Sequence, residues 1–393
     1  MKKIIFSTLI LICFVFTAKA QWVAQNSGTT NKLYSVHFID ANNGWAVGVY
    51  GAIVHTSNGG TTWSSQNSGV TVTLYSVRFV SSTEGWAAGQ NQIILHTTNG
   101  GTSWVATTGT LALNYYAVFF ISQTIGWVGG HNGVLQHTID GGATWTNQSS
   151  GVGVGDDIDA IFFTDNNHGW TVTFNGGVMY TSDGGQTWHS GWCGFSCPNM
   201  AVFFIDSLNG WSAGKGCFYS NDGGQNYWQM IAGGGKNVWM YGIQFINTSV
   251  GYCVGDSGVV TKSVDGGMTW ALQNSGTIQR LESIFIYDSN HAWIVGANGT
   301  ILKNSSAIGG VKENNESIQV SLYPNPSNGK FTLSSEITKG EITIYSLQGE
   351  KIYSSQINSS KTNIDLSKQP DGIYFLQLKT EQGIANKKLI INK

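Results

Sequence analysis

The chain reads as an all-β protein: a seven-bladed β-propeller closed by its own N-terminal strand, followed by a small Ig-like β-sandwich. Three observations predict this. Seven tryptophans (Trp22, Trp63, Trp104, Trp145, Trp188, Trp228 and Trp270) recur every 40–43 residues. A second series, Trp45, Trp86, Trp127, Trp170, Trp211, Tyr252 and Trp293, runs between them and is usually preceded by glycine. Beyond Trp293 tryptophan disappears, and three of the four prolines (Pro324, Pro326, Pro370) fall in the last 83 residues. A fixed period near 40 in a Gly-rich chain is the mark of a propeller blade, and the change of composition marks a second domain.

The chain begins Met1-Lys2-Lys3, continues with an apolar run from Ile4 to Phe16, and leaves it through Thr17-Ala18-Lys19-Ala20. A basic start, a short apolar core and an A-x-A exit predict a cleaved secretory signal over 1–20. The run is too short for a typical transmembrane helix and no other long apolar stretch exists, so the mature chain is expected to have no transmembrane segment.

Residues 21–310 are expected to form the propeller. One repeat contains Leu33–Asp40, Gly44–Gly48, Ala52–Thr56 and Thr62–Gln66, four runs rich in β-branched and aromatic residues with Gly, Asn, Ser or Asp between them. Four strands per repeat make one antiparallel blade, which buries its faces only against neighbours. The ends of the array are out of phase. The segment from Trp22 matches the outermost strand and entry loop that begin at Trp63, while the stretch from Leu281 to Asn304 supplies three strands and no closing Trp. The N-terminal strand is therefore expected to complete the last blade, which removes two open sheet edges.

Between third and fourth strands lies T-x-[ND]-x-G-x-[TS]-W, with Asn58, Asn99, Asp140, Asp183, Asp222 and Asp265 in the Asx slot. A short Asx side chain accepts backbone N–H bonds across a tight turn, and glycine supplies positive φ, so these residues are assigned a structural role and no metal. The pattern resembles the Asp-box (BNR-type) repeat, and the "GWAVG" phrasing is closest to the photosystem II assembly/stability-factor propellers. That resemblance implies an assembly or scaffold character. The family's function is associated with an arginine-rich patch, and this chain has two arginines, Arg78 and Arg280. Only fold and scaffold character therefore carry over.

Residues 311–318 read as a polar linker, and 319–393 as the strands of the sandwich. Tyr323-Pro324-Asn325-Pro326 with Gly329, Asp371-Gly372-Ile373-Tyr374 and Lys387-Lys388 occur in that order up to the C-terminus. Together they resemble the type A C-terminal sorting domain of type IX secretion substrates. The resemblance implies the type IX machinery as a partner, passage across the outer membrane, and a secreted or cell-surface protein, its tail removed or exchanged for a lipid anchor.

The propeller carries seven Lys/Arg against fourteen Asp/Glu. Such an acidic surface argues against nucleic acid as a partner. The mature chain keeps four cysteines, Cys193, Cys197, Cys217 and Cys253. An even number in an exported protein predicts two disulfides, Cys193–Cys197 and Cys217–Cys253 being the preferred pairing with others open. No His lies nearby at ligand spacing, so no metal is expected, and nothing in the chain asks for a cofactor.

Function is expected on the face that carries the entry loops and the second-to-third-strand loops. Trp192 and Trp239, the two tryptophans outside the repeat series, suit stacking on a sugar or a partner surface, and equally suit packing between blades. With Lys236, Arg280 and His131 they form the candidate ligand-binding set. His37 and Arg78 take an innermost-strand slot that is mostly Phe elsewhere; they either line the channel or are satisfied structural groups. A sialidase grips its substrate with three arginines and is excluded. A polysaccharide hydrolase needs two opposed carboxylates, and Asp157, Asp256 and Glu282 are its candidates. No H-E-x-x-H or phosphate loop is present. The favoured reading is a non-catalytic exported propeller that binds a protein or glycan, with a secreted glycoside hydrolase as the alternative.

Overall fold

A computed structural model describes residues 22–108, 113–191, 198–226, 229–231, 238–304, 320–335, 338–346, 351–380 and 383–393. The expected signal peptide and linker, and Trp192, Cys193, Cys197, Trp228 and Lys236, lie outside the described residues. The chain divides into two compact units, 1–309 and 310–393. Among the described residues no helix is long and apolar enough to cross a membrane.

The first unit contains seven four-stranded antiparallel sheets. The first is built from Leu33–Phe38, Gly44–Gly48, Ile53–Thr56 and Ser64–Gln66, in chain order. Five more sheets repeat that order, with first strands Leu74–Phe79, Tyr115–Phe120, Ile158–Phe163, Asn199–Phe204 and Met240–Phe245. The seventh is composed of Leu281–Asp288, His291–Gly296, Ile301–Asn304 and, as its fourth strand, Trp22–Gln25. Trp22 stands opposite Asn304 and Gln25 opposite Ile301. First strands pack side by side in sequence, and that of the seventh sheet packs against that of the first.

Aromatic stacking explains the repeat. The last hydrophobic residue of a first strand, Phe79 for example, lies flat on the second-series Trp45 of the preceding sheet, centroids 3.6 Å apart. It also receives Trp104 of its own sheet edge-on at 5.8 Å. Trp86 on Phe120, Trp127 on Phe163, Trp170 on Phe204 and Trp211 on Phe245 repeat the face-on contact at 3.6–3.7 Å. Each such pair contributes about 0.5–1.5 kcal/mol beyond its buried area. Trp293 of the seventh sheet lies on Phe38 of the first at 3.5 Å, so the same contact spans the chain's two ends. Its indole N–H also donates to Gly59 O at 3.1 Å, as Trp45 donates to Gly100 O and Trp86 to Gly141 O.

The glycine before each second-series Trp follows from this stacking. A Cβ on Gly85 would lie 2.5 Å from the Phe79 ring, and one on Gly44 2.4 Å from Phe38. In the seventh sheet the Phe is replaced by Ile286, and there the glycine is replaced by Ala292. Gly85→Ala is accordingly expected to cost about 1–3 kcal/mol of overpacking. Phe79→Ile in the same chain, which reproduces the seventh-sheet pair, should recover part of that cost in denaturant unfolding. A neutral single variant would refute the packing argument.

Each Asp-box turn is held by its Asx side chain. Asn58 Oδ1 accepts from Thr56 Oγ1 and Thr62 N at 2.9 Å, and Thr56 Oγ1 accepts from Gly60 N at 2.9 Å. Asp140 takes the same bonds from Thr138 Oγ1 (2.7 Å) and Thr144 N (2.9 Å). Those bonds to the ionised form, led by the Thr144 hydroxyl, lower its pKa to about 2. Asn99, Asp183, Asp222 and Asp265 occupy equivalent turns.

Cys217 and Cys253, a pair of the expected disulfides, lie on neighbouring sheets as free, buried thiols with Sγ atoms 3.1 Å apart. Burial, followed by the Cys217 contact, pushes the Cys253 thiol well up.

The second unit has a three-stranded sheet of Val320–Tyr323, Lys330–Ser335 and Lys361–Asp365. Its four-stranded sheet is ordered Lys351–Ile357, Gly340–Tyr345, Gly372–Thr380 and Gly383–Ile391. One core that includes Phe331, Leu333, Ile342, Ile344, Leu376 and Leu389 is shared by the two. The motif residues work structurally: Asn325 donates to Lys388 O and accepts from Ile390 N, both at 2.8 Å, and the Tyr374 hydroxyl donates to Pro370 O at 2.7 Å.

Candidate functional site

Every first strand of the seven sheets carries the same irregularity. Its pairing with the second strand shifts register between the first and third residues, which leaves the second residue out of the ladder. A bulge of this kind re-aims a side chain. The residues concerned are Tyr34, Tyr75, Tyr116, Asp159, Met200, Tyr241 and Glu282. All seven line one cavity of about 370 Å³, to which every first strand contributes. The residues next in line, Ser35, Ser76, Ala117, Ala160, Ala201, Gly242 and Ser283, are uniformly small and also line it. Their size lets successive strands approach: Ser35 Oγ accepts from Val77 N at 3.3 Å and Ser76 Oγ from Val118 N at 3.2 Å.

The fifth residues form a second ring, absent from the cavity lining. His37 packs on Phe285 (4.7 Å), Arg78 on Phe119 (4.2 Å), Phe119 on Phe162 (5.3 Å) and Phe162 on Phe203 (5.1 Å). The polar members bond the next sheet's backbone. Arg78 Nε donates to Phe120 O at 3.2 Å, and Gln244 both donates to Ile286 O and accepts from Ile286 N. Arg78 Nη1 donates to His37 Nε2 at 3.1 Å. Burial, then the Arg78 charge, holds His37 well below its ordinary pKa and therefore neutral, while Arg78, lowered by burial to about 10, keeps its charge. His37 and Arg78 are thus satisfied by neighbouring groups. This ring lies three residues further along the first strands than the bulged residues that line the cavity, hereafter the cup.

The rim of the cup has two unlike sides. On the seventh sheet Glu282, 5% exposed, is held between Lys32 Nζ at 2.8 Å and Arg280 Nε at 2.7 Å. Arg280 also reaches Asp256 at 3.7 Å and lies over the Tyr241 ring at 3.7 Å. Lys32 lies over the Tyr34 ring at 4.2 Å. The Tyr241 hydroxyl donates to Asp256 Oδ2 at 3.3 Å, and burial, with Asp256 and Glu282 outweighed only in part by Arg280, raises its pKa to about 12.

On the fourth sheet three carboxylates gather. Asp157 accepts from His131 Nδ1 at 2.9 Å and from Asn132 N at 3.0 Å. Asp156 accepts from Thr173 Oγ1 at 2.6 Å and Asn175 N at 3.1 Å. Asp159 accepts from the Phe174 backbone, and its Oδ2 is buried with no hydrogen-bond partner. Burial first, then the charges of Asp157 and Asp156, pushes the Asp159 carboxyl up to about 8. Phe174 in turn stacks on Trp239 at 5.6 Å, the planes 7° apart.

The sign of the Asp159 shift fixes a pH dependence. A carboxyl whose pKa is raised on folding favours the fold when protonated, so its contribution is full below about 3.9 and is lost as pH rises through about 8. Asp159→Asn should flatten the decline in stability between those limits, measured by denaturant midpoints across that range. An unchanged slope would show that Asp159 titrates normally.

Of the candidate ligand-binding residues, the structure brings Arg280 to the rim, ties His131 to Asp157, and stacks Trp239 on Phe174. Trp192 and Lys236 are not described. The hydrolytic candidates do not converge: Asp256 and Glu282 share Arg280, whereas Asp157 belongs to the His131 side. The ring of bulged residues, four of them Tyr, has a sequence signal that the tryptophan period does not show: seven positions at steps of 41, once 43, each second in its strand. Among the described residues no group of three or more His, Cys, Asp or Glu is placed to hold a metal ion.

Three family profiles match parts of the chain. The family described as "Secretion system C-terminal sorting domain" matches 321–392, "Photosynthesis system II assembly factor YCF48" matches 15–109, and "BNR/Asp-box repeat" matches 179–190. No curated protein matches. Among solved structures, YCF48 bound to D1 peptide superposes with a TM-score of 0.62 at 21% identity, over 72% of this chain and 96% of that one. YCF48 from Cyanidioschyzon merolae gives 0.62 at 20%, over 72% and 99%. PorZ of Porphyromonas gingivalis, described as an essential bacterial surface component of the type-IX secretion system, gives 0.58 at 12%. That match covers 92% of this chain, which spans 60% of the PorZ chain. At such identities the fold is what is shared. The first unit is thus a β-propeller with Asp-box repeats, and the second carries a secretion-system sorting domain.

Proposed function

We propose that this protein is a non-catalytic binding scaffold displayed outside the cell. Its first unit is a seven-bladed propeller closed by Trp22–Gln25, and it captures a protein or glycan at the rim of the central cup. Its second unit, an Ig-like sandwich, acts as the type IX sorting signal, which delivers the chain to the medium or the outer surface after signal-peptide export. The sorting-domain match over 321–392 supports the delivery. Relatives of the same fold support the scaffold character, one solved with a bound peptide and one a surface component of a secretion system.

One observation carries the binding reading: each hydrolytic candidate already has a partner. Asp157 is paired with His131, Asp256 with Arg280, and Glu282 with Lys32 and Arg280. Glycoside cleavage needs one carboxyl that holds a proton and an opposed carboxylate free to act on water or on the sugar. A single arrangement favours hydrolysis as a second reading. Asp159 holds its proton near neutrality and sits three sheets round the ring from Glu282. The test is therefore release of new reducing ends from a polysaccharide panel by the full chain. No release is expected. Release that disappears in an Asp159→Asn/Glu282→Gln variant would replace the scaffold reading with a hydrolase.

A further inference from the structure

The two sides of the rim differ in one respect that points to a ligand. Around Glu282 the ring supplies its own cations: Lys32 lies on Tyr34, Arg280 lies on Tyr241, and both reach the same carboxylate. Tyrosine faces and a carboxylate together hold a cation by ring quadrupole and charge. Around Asp159 the same materials recur. Tyr116 stands on the adjacent strand and Tyr75 meets it edge-on at 5.1 Å. Asp159 accepts from the backbone of Phe174, which stacks on Trp239. Yet among the described residues no Lys or Arg forms an ion pair with Asp156, Asp157 or Asp159, and Asp159 Oδ2 lacks any hydrogen-bond partner. A desolvated carboxylate with one oxygen unbonded and no cation beside it is costly, and a cation would offset that cost.

We infer that the Asp159 side of the cup binds an organic cation, the alkylammonium or guanidinium end of a lysine or arginine side chain on a partner polypeptide, against Tyr116, Tyr75 and Asp159. The cup's volume, about 370 Å³, admits the charged end of a side chain and not a folded partner. A long unbranched stem tipped with charge reaches a buried carboxylate from outside; a bulky neutral group of the same reach leaves it unpaired. This inference rests on the reading of the rim as a binding site.

The experiment is calorimetry on the full chain with an unstructured Gly/Ser peptide bearing one central lysine. Its comparators are the same peptide with norleucine, free butylamine and a neutral xylo-oligosaccharide. The lysine peptide should bind at least tenfold more tightly than the norleucine peptide, and Asp159→Asn should remove that preference. The cation should also expel the Asp159 proton at pH 7, which makes the binding heat depend on the ionisation heat of the buffer in the wild type only. Butylamine that binds as well as the lysine peptide, also through Asp159, would assign the cup to free amines and not to a polypeptide. Equal binding of lysine and norleucine peptides, or oligosaccharide binding indifferent to Asp159→Asn, would overturn the cation while the rim stays a binding site. Binding by none of the four would overturn the cation and remove support from the rim itself. Asp159→Asn puts a neutral side chain of the same size in place of the protonated carboxyl, so a cooperative unfolding transition at or above the wild-type midpoint is the control for folding.

Discussion

Trp22→Ala is expected to lower the stability of the first unit by about 3–5 kcal/mol, the range for truncating a fully buried aromatic side chain. Trp22 is 1% exposed and meets Tyr252 edge-on at 5.8 Å, within a cluster that includes Val254, Leu281, Ile294 and Leu302. That cluster joins the N-terminal strand to the sixth and seventh sheets, so the cavity left by alanine opens where the chain's two ends meet. The same change exposes the edge of Ile301–Asn304 and should make the variant more prone to associate. All fifteen tryptophans precede residue 294, so indole fluorescence in a denaturant titration reports the first unit alone. Val23→Ala on the same strand is the control; its side chain is 46% exposed, and a change within about 0.5 kcal/mol is expected. A loss at Trp22 no larger than at Val23 would mean that the strand contributes little and that closure does not depend on it.

The sequence made the propeller legible because its packing is periodic. Trp86, Phe120 and the glycine between strands recur at fixed spacing, since each sheet must offer the same face to the next. The N-terminal strand's place could be read from phase alone. The site was harder, because a bulge conceals it. Tyr34, Tyr75 and Tyr116 look like ordinary strand residues of alternating polarity; only the register shift turns them into one cavity. Asp159 stands in an acidic stretch with Asp156 and Asp157, but the burial that raises its pKa, ahead of those two charges, is a product of the fold. Asp157, Asp256 and Glu282 are candidates for hydrolysis only as carboxylates that could oppose one another. Asp157 and Asp256 take their partners, His131 and Arg280, from other repeats, as Glu282 takes Lys32, so spacing does not pair them. Cys217 and Cys253 are a case in which the sequence suggested a pair whose Sγ atoms stand 3.1 Å apart.

Removing residues 319–393 is expected to abolish delivery to the surface while leaving the propeller folded. The second unit has its own core, and its motif residues serve its own sheets: Asn325 bonds the backbone at Lys388 and Ile390, and Tyr374 closes on Pro370. The truncated chain should therefore reach the periplasm, keep the tryptophan fluorescence of the folded first unit, and stop there. Fractionation of cells that express either form measures this directly. A point change separates loss of the signal from loss of length. Gly329 has φ +97°, and a Cβ there would stand 2.7 Å from the Ser367 backbone. Gly329→Val should misfold the tail without shortening it and reproduce the periplasmic arrest. Conversely, residues 311–393 attached to an unrelated periplasmic protein should carry it outside. Surface levels of the truncated chain equal to those of the full chain would sink the sorting role, because the propeller alone would then hold the address. Arrest of the truncated chain together with failure of the transplanted tail would place part of that address in the first unit.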